Sequence, residues 1–363
     1  MAEYKMVRLG DVCEIQSGGT PSRSKTEYWK DGTIPWVKIG DFSGKYLDKT
    51  TEHITQQGLD NSSAKLFSKG TILYSIFATL GEATILNIDA TTNQAIAGIK
   101  IKDKSSVDID YFYSFLKSLK DEVNRIGRGV AQNNINLSIL KSFFIPLPPL
   151  ETQKQIAAQL DKCTAVIAKH KQMLEKYDTL IKSRFIEMFG DPKINSSNLP
   201  TKKFIEVVKL QRGFDLPVQE RNQDGLFNVY GSNGPLDKHD SFKVKAPGIV
   251  TGRSGTLGNV YYVLEDYWPL NTTLFSVDIH NNNVVYLKYL LELYDLSRFS
   301  EGAGVPTLNR NIVHDKDIID VPLSLQNDFA AFVQQIDKSK FAVQKSLEKT
   351  ETLYKSLMQR YFA

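Results

Sequence analysis

One helix-forming segment occurs twice in the chain, 173 residues apart. Leu174-Glu175-Lys176-Tyr177-Asp178-Thr179-Leu180-Ile181-Lys182-Ser183-Arg184-Phe185 returns as Leu347-Glu348-Lys349-Thr350-Glu351-Thr352-Leu353-Tyr354-Lys355-Ser356-Leu357-Met358, with seven of the twelve positions identical. The same shift carries Pro149-Leu150 onto Pro322-Leu323 and Ala157-Ala158 onto Ala330-Ala331. Upstream, Gly127-Arg128-Gly129-Val130 with Asn134 and Asn136 answers to Gly302-Ala303-Gly304-Val305 with Asn309 and Asn311. Thr79-Leu80-Gly81 answers to Thr256-Leu257-Gly258. Across these matches the offset drifts only between 173 and 177 residues. Solenoid repeats stack units of roughly 20–50 residues, so a period this long means two copies of a whole module. Each copy is a globular part followed by a long helix. A chain with two similar halves suits a target with two similar halves.

The helices follow from composition and spacing. Residues 151–189 contain no Gly or Pro and follow the proline-rich Ile145-Pro146-Leu147-Pro148-Pro149-Leu150. Proline is tolerated at a helix start because its missing N–H would be unpaired there, and Gly190 supplies the stop. Ile156, Leu160, Cys163, Ile167, His170, Leu174, Tyr177, Ile181, Arg184 and Met188 step by four and three alternately, which is an a/d seam. Residues 324–362 repeat it with Phe329, Val333, Ile336, Lys340, Val343, Leu347, Thr350, Tyr354, Leu357 and Tyr361. Each helix would run roughly 58 Å at ~1.5 Å per residue. Such stripes need a partner in water, and the nearest is the other copy. Residues 193–202 read as a linker. The remainder shows short apolar or alternating runs broken by turn residues, with helical patterns near residues 108–124 and 283–299, so the fold class is α+β.

At 363 residues and 41% hydrophobic, the chain can bury real cores in two or three domains. Its longest apolar run, Thr71-Ile72-Leu73-Tyr74-Ser75-Ile76-Phe77, falls short of the ~18 residues of a membrane span and reads as a strand. The segment Met1-Ala2-Glu3-Tyr4-Lys5 lacks the apolar core of a signal peptide. Cys13 and Cys163 have no close Cys or His partner in sequence, as expected of buried reduced thiols in a cytoplasmic protein. The net charge of +4 announces no polyanion. A nucleic-acid binder of this composition must cluster its charge or share phosphate neutralisation with a partner.

Motifs for catalysis fail on chemistry. Gly44-Lys45 has Gly40 at the wrong spacing for a phosphate-cradling loop and is followed by Tyr46. Gly127-Arg128-Gly129 and Gly302-Ala303-Gly304 lack the third glycine of a dinucleotide loop. Leu147-Pro148-Pro149-Leu150 offers leucines where an adenine methyltransferase needs Asn or Asp before Pro-Pro-aromatic. His53, His170, His239, His280 and His314 are scattered without metal spacing. The repeated glycine–asparagine segments are different. Structurally they are loops needing φ > 0; functionally such loops let backbone approach a phosphate, while Asn and Gln can read adenine. The first copy adds Arg125, Arg128, Gln132 and Asn133 to Asn134, and the second adds Arg298 and Arg310 to Asn309. Tyr230, Ser232 and Asn233 within Tyr230-Gly231-Ser232-Asn233-Gly234, and Arg253 and Ser254 before Gly255, combine flexible backbone with donors. Trp36 and Lys38, with Gly40 and Asp41, are their counterpart in the first half. Taken singly, each residue also has a structural reading. Taken together, they favour a polar recognition surface.

The chain resembles the specificity subunit of type I restriction–modification systems. The resemblance rests on Val7-Arg8-Leu9-Gly10-Asp11-Val12, Ile34-Pro35-Trp36-Val37, Pro146-Leu147-Pro148-Pro149-Leu150-Glu151-Thr152-Gln153, Phe189-Gly190-Asp191-Pro192, Val229-Tyr230-Gly231-Ser232-Asn233-Gly234 and Gly252-Arg253-Ser254-Gly255-Thr256-Leu257-Gly258, which occur in the family's order. It implies two target recognition domains, at 1–149 and (with the linker) 191–322, separated by two conserved long helices at 150–190 and 323–363. These would pack antiparallel as a coiled coil with pseudo-two-fold symmetry. It also implies a non-catalytic reader of a bipartite double-stranded DNA site that docks two modification subunits. Those subunits use S-adenosylmethionine to methylate adenine N6, and two restriction subunits using ATP and Mg can join them. This chain would need no cofactor of its own. Two other readings remain open from sequence: the specificity subunit of a system with fused methyltransferase and nuclease, and a non-catalytic coiled-coil scaffold.

Overall fold

The computed structural model describes residues 4–127, 134–302 and 306–362. The chain divides into two compact units, one formed by Met1–Lys169 with Leu347–Ala363 and the other by His170–Ser346.

In the first unit a five-stranded sheet runs in the order Cys13–Ser17, Ile96–Ile101, Ile72–Ser75, Ala83–Leu86, Tyr46–Leu47. A three-stranded sheet has Ile34–Val37 at its centre, antiparallel to Glu52–Ile54 and parallel to Thr91–Thr92. Lys5–Arg8 pairs antiparallel with Phe144–Leu147. The apolar run expected to be a strand is one, and Ile72–Ser75 is buried throughout. Its side chains alternate between two cores, as a period of two requires. Ile72 and Tyr74 join Ile99, Phe112, Phe115 and Ile145 on the helix side. Leu73 joins Val37, Leu86 and Ala90 on the other. Helix Ile109–Ser118 starts at Asp108, whose carboxylate accepts from the N–H groups of Asp110 and Tyr111, satisfying two of the orphan donors of a helix start. Cys13 donates its thiol to the Leu9 carbonyl at 2.7 Å, and burial pushes its pKa up to about 12.

Among the described residues, the second unit repeats this plan without a counterpart of the edge strand Tyr46–Leu47. Its sheet runs Lys209–Arg212, Thr273–Asp278, Gly248–Gly252, Val260–Val263. Its three-stranded sheet has Phe227–Gly231 at the centre, antiparallel to Gly234–His239 and parallel to Tyr267–Pro269. Thr201–Lys203 pairs antiparallel with Asp317–Ile319. Ile249 and Val250 split between two cores as Ile72 and Leu73 do. Helix Val284–Tyr294 is capped by Asn283, the positional equivalent of Asp108. Residues 193–202, read as a linker, are ordered by side-chain bonds: Asn195 both donates to the Leu199 carbonyl and accepts from the Leu199 N–H.

Two helices of 40 residues each, Leu150–Phe189 and Leu323–Phe362, run through both units. Every residue of the two expected seams is buried or half-buried. In the first unit Leu160 and Cys163 share a core with Leu357, and the Tyr361 hydroxyl donates to Gln159 Oε1 at 2.7 Å. In the second, the Phe185 and Phe329 rings meet edge-on at 5.3 Å, and Lys340 pairs with Asp178 at 2.5 Å. Gly190 ends the first helix at φ +75°, a conformation a side chain resists, and an added Cβ would lie 2.3 Å from Ser197 Oγ.

Near its start, each long helix is also fastened by a buried glutamine. Gln153 is fully buried; it donates to the carbonyls of Ser106 and Pro148 at 2.9 and 2.8 Å and accepts from the Asp108 N–H at 2.9 Å. Gln326, 173 residues on, donates to Asn282 Oδ1 and the Val321 carbonyl, both at 2.7 Å, and accepts from the Asn283 N–H at 2.8 Å. In both units the carboxamide fastens the first turn of the long helix to the residue that caps the helix beside it. Such a group is costly to remove because the carboxamide is buried and the Pro148 and Val321 carbonyls it pairs with are buried too.

Candidate nucleic-acid interface

In the second unit, loops at one end of the sheet meet. Arg212 ends its strand, Arg253 follows Gly252, and Arg310 opens the short helix Arg310–His314. With Glu301, Asn309 and Asn311 they line a cleft of about 400 Å³. Backbone bonds fix the loops. The Arg253 N–H donates to the Thr272 carbonyl at 2.8 Å, and its carbonyl accepts from the Leu308 N–H at 2.7 Å. Ser254 forms an isolated bridge with Thr307. A Cβ at Gly252 would sit 1.9 Å from the Thr256 carbonyl oxygen, so only glycine permits this turn. It would also come 3.4 Å from Ser232 Cβ, which brings the hairpin tip of Ser232 and Asn233 beside the arginine loop. Arg212 Nε and Arg253 Nη1 both donate to the Asn271 carbonyl, at 3.3 and 3.4 Å. Asn271 is itself held by donating to the Asp215 carboxylate. Beneath the cleft, His314 Nε2 accepts from the Leu210 N–H at 3.0 Å; burial, with Arg310 nearby, lowers its pKa and favours that neutral form.

Arg253, Ser254, Asn309 and Arg310 are thus together, with Ser232 and Asn233 adjoining. Tyr230 is not among them. It is 8% exposed and packs edge-on against Tyr267 at 5.7 Å, a core position. Asn309 is the N-cap of its helix: its side-chain oxygen accepts from the Asn311 N–H at 3.1 Å, so part of its hydrogen-bonding capacity is structural. Its structural counterpart is Asn136, which caps Leu137–Ser142 by accepting from the Ile139 N–H at 2.8 Å. The caps therefore stand two residues out of step with the sequence match of Asn134 to Asn309.

In the first unit Asn134 forms an isolated bridge with Phe77, the counterpart of Thr307 with Ser254. Arg125 is 81% exposed on Lys120–Gly127, with Glu122 3.9 Å away. Arg128 and Gln132 lie outside the described residues. Trp36 is buried at 3% exposure, with its indole N–H donated to the Gly19 carbonyl at 3.2 Å, so its edge is closed to a base. What it supports is exposed: Arg23 lies over Trp29 at 3.5 Å and over Trp36 at 4.8 Å. Arg23 and Lys38 both pair with Glu52 at 2.6 Å, and the Lys38 ammonium holds the Glu52 carboxyl below the usual carboxylate range. Lys38 is therefore part of a charged network on the small sheet, apart from the Asn134 loop in sequence and in sheet.

Arg212 carried a sequence signal. Gln211-Arg212-Gly213 repeats Gln16-Ser17-Gly18, and both glycine N–H groups donate to the equivalent neighbouring strand, to Thr273 and Ile96. That match has an offset of 195 because the first copy carries a longer insert after it. Among the described residues no group of three or more His, Cys, Asp or Glu side chains could hold a metal, and no helix is long and apolar enough to cross a membrane.

The family model of the type I restriction modification DNA specificity domain matches residues 1–176. The EcoprrI specificity subunit of Escherichia coli is 21% identical over 357 residues, spanning 92% of this chain and 88% of that one. The MjaIX specificity subunit of Methanocaldococcus jannaschii is 26% identical over 237 residues, 64% of this chain and 54% of that one. Among solved structures, the type I restriction–modification S subunit from M. genitalium aligns over 99% of this chain and 96% of its own, with a TM-score of 0.63 at 16% identity. A chain from a structural study of complex assembly in the type I system gives 0.62 at 15%. Residues 1–176 thus match the type I restriction modification DNA specificity domain, and over nearly its whole length the chain is similar to type I specificity subunits.

Proposed function

We propose that this chain is the DNA-recognition subunit of a type I restriction–modification complex. Residues 1–149 and 191–322 each act as a target recognition domain for one half of a bipartite duplex site. Helices 150–190 and 323–363 form an antiparallel coiled coil that spaces the two domains and docks two modification subunits, which restriction subunits can join. The chain positions and does no chemistry. The modification subunits bring S-adenosylmethionine and the adenine-N6 transfer, for which the target base must leave the stack. ATP and Mg belong to the restriction subunits.

The observation that carries this reading is one fold built twice, with the same order of four shared strands in the main sheet, the same strand senses and the same glutamine latch in each unit, the first of them matching a DNA specificity domain. The small net charge supports a reader whose partners close around the duplex. Purified alone, the chain is expected neither to bind S-adenosylmethionine nor to transfer methyl groups to DNA. With its modification subunit it should do both. Methyl transfer by the isolated chain would overturn the assignment.

A further inference from the structure

The two units share a backbone plan but not the chemistry displayed on it. Arg212 precedes Gly213, whose N–H donates to Thr273; its equivalent Ser17 precedes Gly18, whose N–H donates to Ile96. Arg253 donates its N–H to Thr272 and accepts from Leu308; its equivalent Ile76 donates to Ala95 and accepts from Ile135. Arg310 follows the cap Asn309, and Leu137 follows the cap Asn136. At the positions of all three arginines the first unit thus carries Ser, Ile and Leu.

Resting on the DNA-recognition reading, we infer that the cleft of the second unit receives the major-groove edge of a G·C pair, and that the first unit reads its half without this device. A guanidinium presents five N–H donors in a rigid fork, and only guanine offers two adjacent acceptors, O6 and N7, to match it. Arg212 and Arg253 each have a donor fixed on the Asn271 carbonyl, which orients the rest of the fork. Among the described residues, the ion pairs of this unit do not involve Arg212, Arg253 or Arg310. Glu301 on the same cleft supplies a carboxylate, the acceptor that suits the cytosine amino group. Three arginines serving phosphates alone would not need a carboxylate among them, because it would repel the same backbone.

The test uses the full chain assembled with its modification subunit. Methylation sequencing first identifies the two halves of the site. Arg253→Gln, Arg310→Gln and Arg212→Gln complexes are then assayed for methylation of duplexes varied at each position. Guanine is also replaced by 7-deazaguanine, which keeps base pairing but removes N7. The inference predicts a guanine in one half at which 7-deazaguanine lowers wild-type methylation about tenfold or more. At least one arginine variant should lose discrimination at that position alone, with the other half read normally; this second result also shows that the variant is folded. An equal loss on all duplexes would assign the arginines to phosphate contact and overturn the inference. So would a site in which the half altered by these variants contains no G·C pair. Failure of the wild-type complex to methylate any duplex selectively would instead overturn the DNA-recognition reading itself.

Discussion

Replacing Gln153 with leucine is expected to destabilise the first unit by about 2–4 kcal/mol, since the buried Pro148 carbonyl left unpaired costs ~1–3 kcal/mol, the partly buried Ser106 and Asp108 groups cost less, and leucine returns part of this as apolar burial. Against a typical domain stability of about 5–15 kcal/mol, that is a large fraction. The groups are the carbonyls of Ser106 and Pro148 and the N–H of Asp108. Gln326→Leu should do the same to the second unit through Asn282, Val321 and Asn283. Thermal or urea unfolding gives the magnitude, and amide exchange gives the location. In Gln153→Leu the Asp108 amide should exchange faster while the Asn283 amide keeps its protection, and Gln326→Leu should reverse the pattern. Gln172→Leu, at an exposed position of the same helix, should change stability by about 0.5 kcal/mol or less. A loss below about 1 kcal/mol for Gln153→Leu would remove the glutamine from its place as a latch.

The helices were legible because their stripes are long and unbroken. Ile156, Leu160, Cys163 and their repeats at Phe329 and Val333 lie where the spacing put them, and Gly190 ends its helix as expected. The α+β content was legible from turn residues and from the apolar run at Ile72–Ser75. The latch was not. A glutamine in a helix start ordinarily faces water, and only the two folded units reveal that Gln153 and Gln326 lie over the caps Asp108 and Asn283. The candidate recognition surface was half legible. Gly252 and Gly255 marked the loop that carries Arg253, but Arg212 arrives from a strand about 40 residues earlier, at a different repeat offset. Trp36 was conspicuous in sequence for its size and is inside for the same reason: a large ring near a strand centre is more useful to the core beneath Arg23 than to a base. Tyr230 follows the same logic beside Tyr267.

The second large effect concerns spacing. If the paired helices hold the two recognition domains apart, lengthening both must change which spacer is read. One heptad inserted after Lys169 and one after Ser346 preserve the seam and add about 10 Å, close to three base pairs at ~3.4 Å each. Three base pairs also turn a half-site roughly 100° around the duplex, given about 10.5 base pairs per turn, whereas a heptad turns the seam by only about 20°. A one-heptad pair should therefore lose methylation more than tenfold on the original site. A three-heptad pair adds about 32 Å, near one full turn of ~34–36 Å, and should recover activity on a spacer longer by about nine or ten base pairs. A four-residue insert breaks the seam and should fail on every spacer. A three-heptad variant that still prefers the original spacer would show that the helices do not set the gap.

On the proposed function, one chain reads two half-sites for a methyltransferase it does not itself contain. The most direct measurement is the methylome of cells that carry this chain with its modification subunit, set against the same cells with the chain deleted. N6-methyladenine is expected in a single bipartite motif, two specific halves separated by a fixed unread spacer, present with the chain and gone without it. One undivided motif, or a methylation pattern unchanged by the deletion, would contradict it.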